Sequence, residues 1–228
     1  IKEADSKTFE RLPETTYYSK DKNNLYYREV KIDKIDNKTL KILYSDGIDV
    51  VKNGNRIFAE GKKLNIKSPE TFEIILSKYY NFPNFIYGKD DKNVYAISKF
   101  DETYSSKIIK NADVNSFEVM KNSMYTKDKN NIYFTHSDVV QMKNVDKDSF
   151  TIGENGFSHD KNSVYFYGKK LDRISPQGFK IIDFTVNSGD SEKIAFLTDS
   201  RNLYKFTYGF DDERYNLKNI KLSNVTNV

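Results

Sequence analysis

One stretch of the sequence decides the fold: Asp128-Lys129-Asn130-Asn131-Ile132-Tyr133-Phe134. The chain repeats this phrase, which consists of an acidic or amide residue, a polar loop, an aliphatic residue and an aromatic ring. The other copies are Asp21–Tyr27, Asn53–Phe58, Asp91–Tyr95 (shorter by one residue), Asp160–Phe166 and Asp199–Tyr204. Repetition of one turn-and-strand phrase predicts a tandem-repeat protein, in which each unit packs against its neighbours.

A second phrase precedes each copy and leads into it. It begins with Asp or Ser, continues through polar residues to Ser, Thr or Gly, and in most copies ends in Phe. Its copies begin at Asp5, Asp36, Ser68, Asp113, Asp146 and Ser175. Asp or Ser at this place predicts an N-cap on a single helical turn, and Pro69 and Pro176 at the next position strengthen the prediction.

The segments around these two phrases alternate with period two and predict short strands. The phrase at Asp128 is predicted to be a hairpin loop, in which Asp bonds the backbone ahead of it and Asn adopts a left-handed conformation. In the second copy Gly54 adopts a positive φ without steric penalty. Each repeat therefore consists of one capped turn and three or four antiparallel strands, and the fold is predicted to be all-β.

The repeat is about 32 residues long, and a single array is predicted over residues 1–228. The predicted repeats are 5–35, 36–67, 68–112, 113–145, 146–174 and 175–220. The third and sixth carry insertions. A unit of this length is short for a propeller blade, which favours an open solenoid or stacked-hairpin array. A six-bladed β-propeller is the alternative.

Composition limits the classes of function. Hydrophobic residues make up 37% of the chain and aromatic residues 14%, which predicts a thin core built from large rings. The net charge is +4, and basic and acidic residues are interspersed, so no nucleic-acid partner is expected. There is no cysteine, which excludes disulfides and thiol nucleophiles.

The repeated Asp-Lys-Asn-x-hydrophobic-Tyr-aromatic phrase resembles the bacterial DKNYY repeat family, and the resemblance covers nearly the whole chain. It implies a bacterial protein of the cell envelope or an exported one, and it implies no catalytic residue. The sequence starts at Ile1 rather than Met, which also favours an exported or envelope protein. A cytoplasmic location is left open. No apolar run approaches the roughly 18 residues of a membrane helix.

The residues that carry chemistry are scattered. His136 and His159 lie beside loops of different repeats and are expected to be surface substitutions, with His159 at the position that Lys occupies in other repeats. Each hairpin loop offers one carboxylate beside a Lys, which favours a turn-forming role over the alternative of a calcium site. We therefore expect no metal, no cofactor and no catalytic residue.

The predicted function is that of a non-enzymatic binding or scaffold module. The aromatic pairs such as Tyr133-Phe134 are expected to bury one ring and to align the other in a surface stripe. The insertion of the third repeat is expected to bind a protein or glycan partner through Tyr79, Tyr80, Phe82, Phe85 and Tyr87. A structural spacer with no ligand of its own is the alternative, and the oligomeric state is left open.

Overall fold

The computed structural model describes residues 1, 3–75, 85–100, 103–120, 124–136, 138–186, 192–209 and 214–220. Within these residues the secondary structure consists of twenty-four β-strands and one short 3-10 helix. The predicted all-β fold is confirmed. None of the described helical structure is long and apolar enough to cross a membrane.

The strands form six antiparallel sheets of four strands each, and each sheet is a meander in chain order. The strands of sheets 1 to 3 are β1 (Glu10–Arg11), β2 (Tyr18–Lys20), β3 (Asn24–Tyr27), β4 (Val30–Lys34), β5 (Lys41–Ser45), β6 (Asp49–Asn53), β7 (Arg56–Ala59), β8 (Lys62–Lys63), β9 (Glu73–Ile75), β10 (Phe85–Lys89), β11 (Val94–Phe100) and β12 (Thr103–Ile108). The strands of sheets 4 to 6 are β13 (Glu118–Val119), β14 (Tyr125–Lys127), β15 (Ile132–Thr135), β16 (Val139–Gln141), β17 (Thr151–Ile152), β18 (Phe157–His159), β19 (Val164–Phe166), β20 (Lys169–Leu171), β21 (Lys180–Val186), β22 (Glu192–Thr198), β23 (Leu203–Gly209) and β24 (Tyr215–Ile220). Each sheet falls within one of the six predicted repeat ranges.

The capped turn that precedes each sheet is best formed in the fifth repeat. There the 3-10 helix Lys147–Ser149 begins after Asp146, whose carboxylate accepts a hydrogen bond from the backbone N–H of Ser149 at 3.1 Å. The cap predicted at Asp146 is therefore confirmed. The Phe at the end of this phrase, Phe150, packs at a tilt on the first ring of the hairpin, Tyr165, as Phe117 does on Tyr133 at 5.9 Å between ring centroids.

Two details of the hairpin loops differ from the predictions. The asparagines of the six repeated loops do not adopt positive φ; among the described residues of these loops Gly54 is the only one that does, at +59°. Left-handed Asn occurs instead at Asn111 and Asn144, where the chain passes from one sheet to the next, and at Asn155, in the turn between β17 and β18. The third loop is also not shortened, because Asp90 rather than Asp91 bonds the loop backbone and lies five residues before Tyr95.

The chain divides into two compact units, Ile1–Gln141 and Met142–Val228. In the first unit, separate hydrophobic clusters join sheet 1 to sheet 2, sheet 2 to sheet 3 and sheet 3 to sheet 4. In the second unit, one cluster rich in Phe and Tyr joins sheet 5 to sheet 6. Sheets that are consecutive in sequence thus stack on each other, which confirms the stacked-hairpin arrangement within each unit; closure into a ring stays a prediction.

The aromatic pairs of the hairpins in sheets 4 and 5 bury both of their rings. Tyr133 is fully buried and Phe134 is 8% exposed, although the two rings point to opposite faces of sheet 4. Tyr165 and Phe166 are both 2% exposed. The stripe of surface rings expected from these pairs is therefore wrong, because both rings of each pair are buried. The thin core consists of ring layers between sheets.

Gly88 shows how closely these layers pack. A Cβ atom at this position of β10 would lie 2.4 Å from Cζ of Phe72 and 3.1 Å from the carbonyl oxygen of Glu73. We expect Gly88→Ala to lower the free energy of unfolding by about 1–3 kcal/mol, because the ring has to move. Denaturant unfolding measures the loss. In the double variant with Phe72→Leu the added methyl is expected to be better tolerated, and an unchanged stability of Gly88→Ala would contradict the packing.

Candidate functional site

The most repeated chemistry of the chain is the buried Asp of the hairpin loop. In five sheets one carboxylate oxygen accepts the backbone N–H groups two and three residues ahead, at 2.7–2.9 Å. The other oxygen accepts the hydroxyl of the Tyr five residues ahead, at 2.5–2.9 Å. It also accepts the N–H of the Asp or Ser that begins the preceding capped turn, at 2.7–3.1 Å. We call each such carboxylate with its donors an aspartate hub; the five are centred on Asp21, Asp90, Asp128, Asp160 and Asp199.

Sheet 2 lacks this hub and shows why its parts occur together. Asn53 occupies the Asp position, and Phe58, which has no hydroxyl to donate, occupies the Tyr position. The amide oxygen of Asn53 accepts the N–H of Asp36 at 2.8 Å. Its amide nitrogen donates to the carboxylate of Asp33 at 2.7 Å and to the carbonyl of Lys34 at 2.8 Å. The two substitutions compensate each other. In the other sheets the Asp carboxylate accepts a hydrogen bond from the Tyr hydroxyl, and in sheet 2 both the acceptor and the donor of this bond are absent.

A second set of contacts ties each loop to its capped turn. In sheet 4 the Ser116 hydroxyl accepts the N–H of Lys129 at 2.9 Å, and the Lys129 ammonium lies 2.8 Å from the Asp113 carboxylate. The Lys–Asp pair recurs as Lys22 with Asp5 and as Lys161 with Asp146, at 2.7 Å in each case. The charges of the loop are thus satisfied within the repeat.

The hydrogen bonds determine how the hub groups titrate. Burial alone would raise the pKa of the Asp128 carboxyl, but the N–H of Asp113 and the hydroxyl of Tyr133 outweigh it and hold the pKa below its ordinary value. The same balance lowers the pKa of Asp21, Asp90 and Asp199. Burial and the neighbouring carboxylate raise the pKa of Tyr95 to about 12, so the phenol remains a donor.

We expect Asp128→Asn to lower the free energy of unfolding by about 2 kcal/mol, because the amide cannot accept every donor of the hub. Adding Tyr133→Phe should cost less than the sum of the single changes, since it removes the hydroxyl that has lost its acceptor. Urea unfolding of the four proteins measures this coupling. Asp91→Asn is the control and should change stability by less than about 0.5 kcal/mol; equal losses for Asp91→Asn and Asp128→Asn would contradict the hub.

The fold should also be sensitive to acid. A carboxyl whose pKa is lower in the folded than in the unfolded chain stabilises the fold above its unfolded pKa, and this stability is lost as the pH falls. The pKa of Asp146 is lowered to about 2, chiefly by the hydrogen bond from Lys161. We therefore expect the urea midpoint to fall steeply below about pH 4. Asp128→Asn should show a shallower decline, and parallel curves for the two proteins would contradict the assignment.

Other sequence candidates stand apart from one another. The hub oxygens already accept several donors each, and among the described residues no group of three or more His, Asp or Glu is arranged to hold a metal ion. His159 pairs with Thr151 across the sheet, at the position where Lys127 pairs with Glu118 in sheet 4. The predicted equivalence of His159 with Lys is thus confirmed, and this pair replaces a Lys–Glu ion pair.

The predicted partner-binding residues fall into two groups. Tyr79, Tyr80 and Phe82 lie outside the described residues, and their role stays a prediction. Phe85 and Tyr87 lie on β10 and are 6% and 5% exposed, packed between sheets 3 and 4. The hydroxyl of Tyr87 is within 2.6 Å of the Thr135 hydroxyl. These two rings therefore stabilise the core and are not exposed binding groups.

The sheets differ most at one place, which sequence reasoning missed. In sheet 1, Tyr17 directly precedes β2 and Arg28 directly follows β3. The backbone N–H of Arg28 donates to the carbonyl of Tyr17 at 2.8 Å. The same backbone bond joins Glu60 to Asp49 in sheet 2, Thr135 to Met124 in sheet 4 and Tyr167 to Gly156 in sheet 5, at 2.7–3.1 Å. Alignment of the repeats reveals this position in the sequence. The hub residues recur from repeat to repeat, whereas the two residues joined by this backbone bond differ in each of these four sheets.

Sheet 1 presents this position to solvent. The Tyr17 ring is 47% exposed, and the Arg28 guanidinium lies 4.6 Å from its centroid. A cavity of about 500 Å³ that is largely open to solvent is lined by residues 11–16, which directly precede Tyr17. The last residue of this segment, Thr16, is hydrogen-bonded to sheet 2: its backbone N–H donates to the Asp49 carboxylate at 2.6 Å. Tyr17, Arg28 and this cavity form the candidate site, which we call the Tyr17 site.

The comparisons with known proteins agree with the repeat architecture. The model of the DKNYY family matches residues 1–137 and 125–227. The chain belongs to the DKNYY family. Both matched segments contain aspartate hubs. No curated protein and no solved structure matches the chain.

Proposed function

We propose that this DKNYY-family chain is a non-enzymatic binding or scaffold module of a bacterial envelope or exported protein, and that it engages a protein or glycan partner. The observation that carries the proposal is the Tyr17 site. Most large rings of the described chain are buried between sheets, whereas Tyr17 exposes nearly half of its surface beside a guanidinium. Exposed rings with a neighbouring cation are the groups that contribute most to recognition surfaces.

The surroundings of Tyr17 support a partner with both apolar and polar groups. The Tyr27 ring packs edgewise on it at 6.0 Å between centroids, which holds the Tyr17 ring in place. The hydroxyl of Tyr27 donates to the carboxylate of Glu60. A flat ring held by its neighbours loses little entropy on binding, and the Arg28 guanidinium adds several donors.

The aspartate hubs support a non-enzymatic role. Acid–base or nucleophilic chemistry requires a carboxylate that reaches a substrate. The carboxylates of the hubs are buried and bonded to their own backbone and Tyr hydroxyls, as at Asp128, which is 3% exposed. Their repetition serves the fold.

The Tyr17 site is tested by Tyr17→Ser combined with Arg28→Ser, assayed on a glycan array and by capture of partners from extracts. We expect the signal for the partner to fall roughly tenfold or more, as for a binding hot spot. The matched control is Ile182→Ser, which removes an apolar side chain that is 59% exposed on sheet 6. Equal binding by both variants, with unchanged melting temperatures, would remove Tyr17 from the proposal.

The segment 79–82 provides a separate arm of the same experiment. Replacing Tyr79, Tyr80 and Phe82 by Ser should weaken partner binding without unfolding the chain; if it unfolds the chain, these rings belong to the core. A profile that shows no protein or glycan partner for the wild type would favour the structural spacer, the second candidate. That candidate is supported by the way five of the six sheets repeat the same hub bonds.

A further inference from the structure

The fold collects lysines that are far apart in sequence onto one edge of the first unit. The last strands of sheets 1, 2 and 3 are β4, β8 and β12, and together they carry five Lys and one Asp, a net charge of +4. The first strands, β1, β5 and β9, carry two basic and two acidic residues, a net charge of zero. Of the two edges of these sheets, the edge formed by the last strands therefore carries the excess positive charge.

The last strands of consecutive sheets are neighbours. The turn that leads into β8 lies beside Tyr27, which pairs with Val30 of β4, and the Tyr27 hydroxyl donates to the Glu60 carboxylate of that turn. Beyond β8, the N–H of Asn65 donates to the Ser106 hydroxyl of β12 at 2.9 Å. Stacked sheets lie about 10 Å apart, so the lysines form a row with a spacing of that order.

The lysine ammonium groups in this row face solvent. Lys31, Lys34, Lys62 and Lys63 are exposed, and we call these four the lysine edge. The acidic residue among them, Asp33, is bonded to Arg56 at 2.8 Å and its side chain is 7% exposed. Lys107 continues the row and lies 2.9 Å from Asp138. Most of the positive charge of the edge is therefore available to a partner.

We propose that the lysine edge binds a linear anionic polymer that carries repeated phosphate or carboxylate groups and no bases. A row of ammonium groups along stacked sheets matches a chain of regularly spaced anions, and such binding gains from release of counterions. Lys acts as a point charge and makes no bidentate fork, which suits a flexible polymer.

Two features favour this partner over the alternatives. Single-stranded nucleic acids are held by aromatic rings that stack on bases, whereas the large apolar side chains exposed on β4 and β12 are Val30 and Ile108. Lysine on an edge strand also prevents unwanted strand pairing. Protection alone would place it on both edges of each sheet, but β1 and β9 each carry Glu and no Lys.

The test uses the whole chain with polyphosphate, a polyuronate and single-stranded DNA as probes. We expect polyphosphate or polyuronate to bind, with an affinity that falls between about 50 and 200 mM salt. The variant K31Q/K34Q/K62Q/K63Q should bind on the order of tenfold more weakly and lose about one unit of salt slope per lysine. The control K7Q/K38Q/K41Q/K180Q removes the same charge elsewhere and should bind like the wild type.

Three outcomes would overturn the proposal: no binding of either polymer at low salt, equal weakening by both quadruple variants, or tighter binding of DNA than of polyphosphate of equal charge. Comparison of the phosphate and carboxylate polymers identifies the anionic group. None of the four lysines belongs to the Tyr17 site, and Tyr17→Ser removes no positive charge. Tyr17→Ser should therefore leave polymer binding unchanged, so that failure of one proposal is distinguishable from failure of the other.

Discussion

The buried aspartate carboxylate of each hairpin loop is the interaction on which the rest of the structure depends. One carboxylate, such as that of Asp128, accepts two N–H groups of its loop, one N–H of the capped turn and the hydroxyl of Tyr133. It thereby joins three separate segments of a repeat at one point. In a chain with only 37% hydrophobic residues, each sheet has little apolar area of its own, and these charge-assisted bonds define its geometry.

The substitution pattern of sheet 2 shows that the hub acts as a unit. With Asn53 and Phe58, the carboxylate and the hydroxyl that it would accept are both absent, and Asp33 supplies an acceptor for the new amide. Buried polar groups stabilise a fold when all of them are bonded and destabilise it when one is left over. The constraint therefore applies to the whole set of bonds, and a single residue cannot change alone without loss of stability.

Local chemistry explains which parts of this fold could be predicted from the sequence. The N-cap at Asp146, the period-two strands and the repeat itself follow from short-range rules. The third loop was misaligned because Asp90 and Asp91 are adjacent, and only the position of the Tyr95 hydroxyl selects between them. The burial of Phe134 was missed because the alternation of side chains along a strand does not show whether its second face is covered. The lysine edge was missed because its lysines lie about thirty residues apart, as Lys31 and Lys62 do, and form no run in the sequence.

Repetition and variation separate structure from recognition in this chain. The hub groups recur because their bonds leave no freedom to change. At the place where Arg28 bonds Tyr17, the fold requires only a backbone N–H and a carbonyl, and the side chains are free to differ. In sheet 1 these side chains are the exposed ring of Tyr17 and the cation of Arg28. In sheet 2 they are the two acids Asp49 and Glu60, and in sheet 5 the ring of Tyr167 packs over Gly156. A surface that varies on a constant backbone is where an array of equivalent sheets acquires specific contacts, and the Tyr17 site is of this kind.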